Sequence, residues 1–185
     1  MSEVVQLRGD ENPEETEKRR LALRQIRVFG DPVLRERAQE VTSFDGELAK
    51  LAERMTGIMR DAPGVGLAAT QVGVVRRLLV YQVEEQAHAL VNPVVEVVDD
   101  GTEIVEEGCL SLPGIVVPVE RPLAVEVHGR DVHGAALDFT AEGLEARVIQ
   151  HELDHLDGVL IIDRTTREER AKALRALREG ELSRV

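Results

Sequence analysis

The stretch between residues 77 and 139 constrains the fold of this chain more than any other part. It holds short runs rich in Val, Leu and Ile at residues 78–83, 90–98, 104–105, 115–119 and 123–127. Turn residues such as Asp100-Gly101, Gly114 and His133-Gly134 separate these runs. Short β-branched runs between such turns are typical of antiparallel strands and hairpins. We therefore expect antiparallel sheet over this stretch.

Helical periodicity precedes the strand-rich stretch. Apolar residues recur at helical spacing after Asp45, which is available as an N-cap, and Pro63 closes the segment. These apolar residues are Leu48, Leu51, Met55, Ile58 and Met59. The predicted helix runs into the segment 64–69, Gly-Val-Gly-Leu-Ala-Ala, where two glycines allow a close approach that a side chain would block. We expect this segment to be a loop that can admit a ligand.

Helical periodicity also follows the strand-rich stretch. We predict a helix over residues 141–157, with Thr140 as its N-cap and Gly158 as its stop. A last helix is predicted from Thr166, which fits a capping box with Glu169. Its inward residues are expected to be Ala171, Leu174 and Leu177. Helices on both sides of an antiparallel region indicate the α+β class.

Length and charge limit the organisation of the chain. With 185 residues, it is long enough for one domain with a core but hardly for two, so we expect a single domain over residues 1–185. Residues 1–18 are polar and are expected to form a flexible acidic tail. A formal net charge of −12 argues against wrapping nucleic acid over the whole surface. No apolar stretch approaches the ~18 residues of a membrane span. We therefore expect a cytoplasmic protein with no membrane or DNA partner.

The sharpest chemical signal is the segment 151–155, His-Glu-Leu-Asp-His, inside a predicted helix. Residues four apart share a helix face, so His151 and His155 lie on one stripe with Leu144 and Val148 and are expected to point toward the core. Two such imidazoles suit a buried metal. Glu152 sits beside the stripe, where a carboxylate can act as general acid and base. The motif predicts a metal hydrolase with one ligand still to be found.

Several residues compete for the place of the third ligand. The metzincin pattern would need a histidine where Ile161 stands, and the downstream glutamates Glu168 and Glu169 are already explained as first-turn residues of a new helix. Cys109 is the only cysteine and is the other candidate. At this point two alternatives stay open: a zinc peptidase of the His-Glu-His type, and a structural metal site without activity. A structural site needs a fourth ligand, and His128 and His133 lie in turn-rich, exposed-looking segments.

Three segments together resemble peptide deformylases. They are GVGLAATQ at 64–71, EGCLS at 107–111 and QHELDHLDG at 150–158, in the order and spacing of that family. The segment 30–35 also resembles an early turn of the family, so the likeness covers about residues 24–165. The resemblance implies antiparallel sheets packed around a central metal-binding helix, with a C-terminal helix. It also implies hydrolysis of the formyl group from N-formyl-methionyl nascent peptides, with release of formate.

The resemblance also implies roles for individual residues. Cys109, His151 and His155 would bind one divalent metal ion, with Fe2+ favoured and Zn2+, Ni2+ or Co2+ as alternatives. Glu152 would take a proton from the attacking water and return one to the leaving amine. The side chain of Gln71 and the backbone N–H of Leu110 would stabilise the oxyanion, and Gly66 and Gly108 would bind the substrate. For Cys109, Gln71, Leu110, Gly66 and Gly108 these roles come from the family likeness and not from spacing.

Four further residues have roles that the resemblance leaves open. The methionine pocket would be lined by Val148, Ile149 or His151. Glu107 would either support a ligand or be a charge on the strand surface.

Two features lie outside the shared motifs. Many bacterial relatives carry charged residues where this chain has Gly114-Ile115-Val116-Val117-Pro118, so its preference for the peptide residues after the methionine is open.

The C-terminal segment differs in charge from the rest of the chain. Residues 164–185 contain seven basic and four acidic side chains, 7 − 4 = +3, and the remainder of the chain carries −12 − 3 = −15. The resemblance implies that the C-terminal helix docks on the ribosome near the exit tunnel, as in family members, and the basic charge of this helix on an acidic body supports that expectation. Its arginines could instead pair locally with Glu168, Glu169 and Glu179.

Overall fold

A computed structural model describes residues 12–182 of the chain. These residues form four α-helices and seven β-strands. The helices are α1 (Pro13–Leu23), α2 (Gly46–Asp61), α3 (Gly143–Leu156) and α4 (Arg167–Leu182). The strands are β1 (Gly66–Ala68), β2 (Leu78–Tyr81), β3 (His88–Val97), β4 (Thr102–Cys109), β5 (Leu112–Pro122), β6 (Ala124–Arg130) and β7 (Ala136–Glu142). Short 3₁₀ segments cover residues 32–35, 69–72 and 161–163.

The strands form two antiparallel sheets. Five of them pair in the order β1-β2-β3-β6-β7, and β4 pairs with β5 in a separate two-stranded sheet. The antiparallel α+β architecture with a C-terminal helix confirms the fold class predicted from the sequence. None of the helices in residues 12–182 is both long and apolar enough to cross a membrane.

Strand β2 lies between two helical layers, which fixes the position of α3. Successive side chains of a strand point to opposite faces of the sheet. Leu78 and Val80 pack with α2, whereas Leu79 and Tyr81 pack with α3. All four side chains are buried. As a result α3 is a central helix, covered by sheet along one side.

Helix α2 forms as its sequence predicts. Asp45 accepts hydrogen bonds from the backbone N–H groups of Glu47 and Leu48, both at 3.1 Å, and so caps the helix. The expected apolar face is buried except at Leu51, which is half-buried, while Ala52 is buried beside it.

Three local predictions are wrong. The segment 66–68 was expected to be loop but is β1, because it pairs with β2 along its whole length. Thr140 does not cap α3, because β7 continues to Glu142 in register with β6 and the helix begins only at Gly143. In α4, Ala173 is buried and Ala171 is exposed, although Leu174 and Leu177 do pack inward.

The expected tail at residues 1–18 needs correction over part of its length. Residues 1–11 lie outside the described part of the chain. Residues 13–18 belong to α1, which begins with Pro13 at its first turn, where a missing N–H costs nothing. Asn12 caps the helix by accepting from Glu14 N–H at 3.2 Å. Only Ala22 of α1 is buried, so the helix has almost no apolar periodicity to reveal it.

Candidate active site

The two histidines of α3 meet Cys109 at the end of β4. One helical turn separates His151 from His155, and their ring centroids lie 5.1 Å apart. The Sγ atom of Cys109 is 3.2 Å from Nε2 of His155. One ligand atom from each of the three residues lies within 4.8 Å of the others. The structure therefore brings together the three ligands named from the sequence.

This group fits a divalent metal ion. Two ligands about 2.0–2.3 Å from a tetrahedral ion lie roughly 3.5 Å apart, close to the separation of sulfur and Nε2 here. Burial raises the pKa of the Cys109 thiol, but the nearby His155 and His151 lower it well below its ordinary value. A thiolate is the form that binds metals. Two buried polar atoms, Oε2 of Glu152 and Nδ1 of His155, have no hydrogen-bond partner within residues 12–182.

Glu107 orients the first histidine. Its Oε2 atom lies 3.0 Å from Nδ1 of His151, and its side chain is 5% exposed. Burial would raise the pKa of Glu107, but hydrogen bonds from His151 and Arg121 lower it to about 2. An ionised carboxylate only accepts, so Nδ1 of His151 carries the hydrogen and Nε2 is left to face Cys109. Glu107, whose role the sequence left open, thus supports a ligand.

A buried ion-pair network continues behind Glu107. Arg121 donates from Nε to Glu107 at 2.7 Å and from Nη1 to Asp154 at 2.9 Å. Arg147 also donates to Glu107, at 2.8 Å, and Arg164 donates to Asp154 from Nε at 3.1 Å. Sequence reasoning missed Arg121 altogether. Its position in β5 is in register with the inward residues 115, 117 and 119, and this was the available signal.

The carboxylate of Glu152 lies against β1. A Cβ atom at Gly66 would be 2.4 Å from Oε1 of Glu152, so a side chain at position 66 would displace the carboxylate. Glu152 is 4% exposed, and burial raises its pKa. The absence of a side chain at Gly66 therefore lets a buried carboxylate reach the cleft beside the three ligands. An acid with a raised pKa is suited to both accepting and returning a proton.

Gln71 is buried, not the surface amide that its turn-like surroundings would suggest. Its Oε1 atom accepts from Ala68 N–H at 2.8 Å, which directs Nε2 toward Ser111 Oγ at 3.2 Å and Cys109 Sγ at 3.7 Å. Leu110 follows Cys109 in the two-residue turn between β4 and β5. Both named oxyanion donors thus lie next to the metal ligands.

An open cleft of about 1140 Å³ runs across the site. Gly66 of β1 and Gly108 of β4 line it, as do Val148 and His151 of α3. Ile149 does not, because it is fully buried against the five-stranded sheet. The apolar part of the wall also includes Leu144, which was expected to point into the core but is 56% exposed.

The competing ligands lie elsewhere. Glu168 and Glu169 pair with Lys172 on α4, and Asp154 is held by two arginines. His128 bonds to Asp138 at 2.7 Å on the outer face of the sheet. A fourth protein ligand of the kind a closed structural site needs is not found beside Cys109 in residues 12–182.

Comparison with known proteins gives one consistent result. The polypeptide deformylase family model matches residues 23–171. The peptide deformylase of Acidothermus cellulolyticus is 47% identical over 161 residues, which cover 87% of this chain and 89% of the relative. The crystal structure of the Thermotoga maritima peptide deformylase has a TM-score of 0.74 at 50% identity, covering 76% of this chain and 96% of that one. That of Legionella pneumophila gives 0.80 at 38% identity, over 86% and 95%.

Proposed function

The chain belongs to the peptide deformylase family, and we propose that it acts as a single domain in which Glu152 is the catalytic acid and base. Like the family, it hydrolyses the N-formyl group of formyl-methionyl nascent peptides. One observation carries the assignment of residues. The buried carboxylate of Glu152 opens into the cleft that Cys109 and His151 line, beside the group of three candidate ligands, and its Oε2 atom has no hydrogen-bond partner in residues 12–182.

The enzyme is metal-dependent, and the group that fits the ion is Cys109, His151 and His155. When bound, a divalent ion polarises the formyl oxygen and makes a water more acidic. Cys109 contributes negative charge, because its pKa lies well below the ordinary value. His151 is held in the required tautomer by Glu107.

Glu152 moves the proton. It accepts one as water attacks the formyl carbon and then donates it to the nitrogen of the leaving methionine. Two donors face the oxygen that gains negative charge, the Nε2 group of Gln71 and the backbone N–H of Leu110. The Gln71 donor is preorganised, because the other end of its amide is fixed by Ala68 N–H.

The peptide binds along the cleft. The backbone at Gly66, on the edge strand β1, and at Gly108, in β4, pairs with the peptide as an added strand. The methionine side chain lies in the apolar part of the wall, against Val148, His151 and Leu144.

Formate release tests this function. The metal-loaded enzyme is incubated with a formyl-methionyl peptide, the matching acetyl-methionyl peptide and an unblocked peptide. We expect rapid formate release from the first, little hydrolysis of the second and no internal cleavage of the third. Internal cleavage without formate release would instead support a peptidase.

Fe2+ is the metal we propose. A cysteine thiolate with two imidazoles also suits zinc, so the support is the family likeness and the test must be chemical. A thiolate beside ferrous iron is open to oxidation, so an anaerobically prepared iron form should lose activity in air faster than a zinc form. Equal stability of the two forms in air would contradict the iron assignment.

Helix α4 is the proposed contact with the ribosome. Arg167, Arg175 and Arg178 are exposed. At about 100° per residue they fall within about 80° of one another around the helix. Arg170 and Lys172, by contrast, pair with acidic neighbours. A row of three guanidinium groups is suited to phosphates of ribosomal RNA.

A further inference from the structure

The cleft extends beyond Cys109, His151 and Glu152, the residues proposed to bind the metal and transfer the proton. Its outer wall is the end of α1, where Arg19 and Arg20 of the helix and Arg24, the residue that follows it, line the same cavity as His151 and Glu152. Under the proposed function, a peptide whose methionine lies against Val148 and His151 has its following residues along this cavity. The side chains that follow the methionine therefore come within reach of guanidinium groups.

The three arginines differ in how free they are to bind a ligand. Arg24 is exposed, and its guanidinium forms no hydrogen bond or salt bridge in residues 12–182. It still attracts the carboxylate of Glu17, whose pKa is lowered chiefly by the hydrogen bond from Arg20 and further by Arg24. Arg20 lies four residues earlier on the same helix face and donates from Nε to Glu17 at 2.7 Å. Arg19 is half-buried and already engaged. Arg24 is thus the first candidate to meet a ligand, with Arg20 beside it.

The rest of the outer cleft is mostly uncharged. Exposed apolar side chains of Leu23, Val28, Val65 and Val116 surround the arginines, and Glu106 is the exposed acid of the lining. The chain as a whole carries −12, so its surface repels acidic peptides. Against this background, a local group of guanidinium ions distinguishes peptides by the charge of their side chains.

We propose that Arg24 and Arg20 form a subsite for a carboxylate side chain on one of the peptide residues that follow the methionine. Guanidinium and carboxylate form charge-assisted hydrogen bonds, often in pairs, which makes the preference geometric as well as electrostatic. The subsite rests on the proposed function, since it needs a formyl-methionyl peptide in the cleft. Arg20 lies before the family match, which begins at residue 23, whereas Arg24 lies just inside it.

The expected size of the preference for a carboxylate follows from the exposure of Arg20 and Arg24. Ion pairs between exposed groups contribute about 0.2–1 kcal/mol, because water screens them. A glutamate should therefore raise kcat/KM about 1.4- to 5-fold over a glutamine at the same position, mainly through KM. The preference should shrink as salt is added.

The experiment compares charged and neutral peptides on the metal-loaded enzyme. Formyl-methionyl peptides with a C-terminal amide carry Glu, Gln or Lys at the second, third or fourth position, and the ratio of kcat/KM for Glu over Gln is measured. In the double variant Arg20→Gln, Arg24→Gln the ratio should fall to one. Arg24→Glu should favour Lys over Gln.

Lys18→Gln is the matched control. It removes one positive charge from α1, as Arg20→Gln alone does, but Lys18 does not line the cleft, so the ratio should stay at its original value. If the ratio of kcat/KM for Glu over Gln were the same in the original enzyme and the double variant, the subsite would be overturned. It would also be overturned if Lys18→Gln lowered this ratio as much as the double variant does. Absence of formate release from every peptide would contradict the proposed function instead, so the two failures are distinguishable.

Discussion

The inner and outer ends of the cleft hold charged residues under opposite conditions. At the inner end, Glu107 lines the cleft and is bound to Arg121 behind it, and both side chains are about 95% buried. At the outer end, Arg20 and Glu17 pair in water, each about half exposed. Burial makes the inner pairs costly to break, whereas exposure makes the outer pairs weak and easily exchanged for a ligand. The proposed catalytic end of the cleft is therefore held by buried ion pairs, whereas the proposed peptide subsite at the other end has exposed pairs that a ligand can replace.

The largest expected effect is at the inner end, for Glu152→Gln. Glutamine keeps the shape of the side chain against Gly66 but cannot accept the proton of water. We expect kcat/KM for a formyl-methionyl peptide to fall at least about 100-fold. Metal content, measured by elemental analysis, should be unchanged.

The control for this variant is Glu106→Gln, which removes an exposed carboxylate from the same cleft. It should retain activity within about twofold, since it changes only a screened charge. Substantial formate release by metal-loaded Glu152→Gln would contradict the proposed role.

Removal of a ligand should act on metal content as well as on activity. Cys109→Ser and His155→Ala each leave two of the three ligands, and a site with two ligands has little affinity. We expect both variants to lose most of their metal to a competing chelator that the original enzyme resists. Full retention of metal by Cys109→Ser would mean that the cysteine is not a ligand, and would favour the peptidase alternative.

A smaller loss of activity is expected for Arg121→Gln, because Arg121 contacts Glu107, which in turn contacts His151. The change leaves Glu107 and Asp154 with fewer partners in a buried setting, although Arg147 and Arg164 still reach them. Breaking a buried pair costs about 3 kcal/mol or more of unfolding free energy. Metal affinity should fall about 10- to 100-fold, because the support of His151 is weakened.

Denaturant unfolding and chelator competition measure the two effects of Arg121→Gln. Arg37→Gln is the control, since its side chain is 82% exposed and its contact with Asp157 is long, at 3.7 Å. Equal unfolding free energies for the two variants would mean that the buried network does not stabilise the fold.

The sequence could predict contacts between residues close together in the chain, but not contacts between distant residues. Asp45 caps α2 and the histidines share a face of α3 because both relations span about one helical turn. Arg121 and Asp154 were missed as partners because 33 residues separate them and only the sheet brings them together. Cys109 was found as the third ligand only through the family motif, since 42 residues separate it from His151.

The errors in secondary structure have the same origin. Thr140 is a good N-cap by residue type, but pairing of β7 with β6 at Glu126 holds it in a strand. Helix α1 carries one buried residue, Ala22, so periodicity could not reveal it, and the arginines at the outer end went unnoticed with it. Local signals predict elements well where no distant strand or helix competes for the same residues.

The smallest effect on catalysis is expected farthest from the cleft, on α4. Truncation of the helix would be a poor test, because Ala173, Leu174 and Leu177 pack against β5 and the segment 161–163. Replacing Arg167, Arg175 and Arg178 by Gln keeps that packing and removes only exposed charge. Activity on short peptides should then be unchanged, while co-sedimentation with ribosomes at low salt should weaken.

Salt dependence gives the quantitative form of this last prediction. Each phosphate contact contributes about 0.7–0.9 to the slope of log affinity against log salt, so losing three contacts should reduce the slope by about 2 to 3. The matched control replaces Lys18, Arg37 and Lys50, which are exposed and lie outside α4. An equal loss of binding in both triple variants would mean that ribosomes respond to net charge alone. A loss confined to the α4 variant would mean that the exposed arginines of α4 bind the ribosome. These charges would then bring the enzyme to nascent peptides without taking part in hydrolysis.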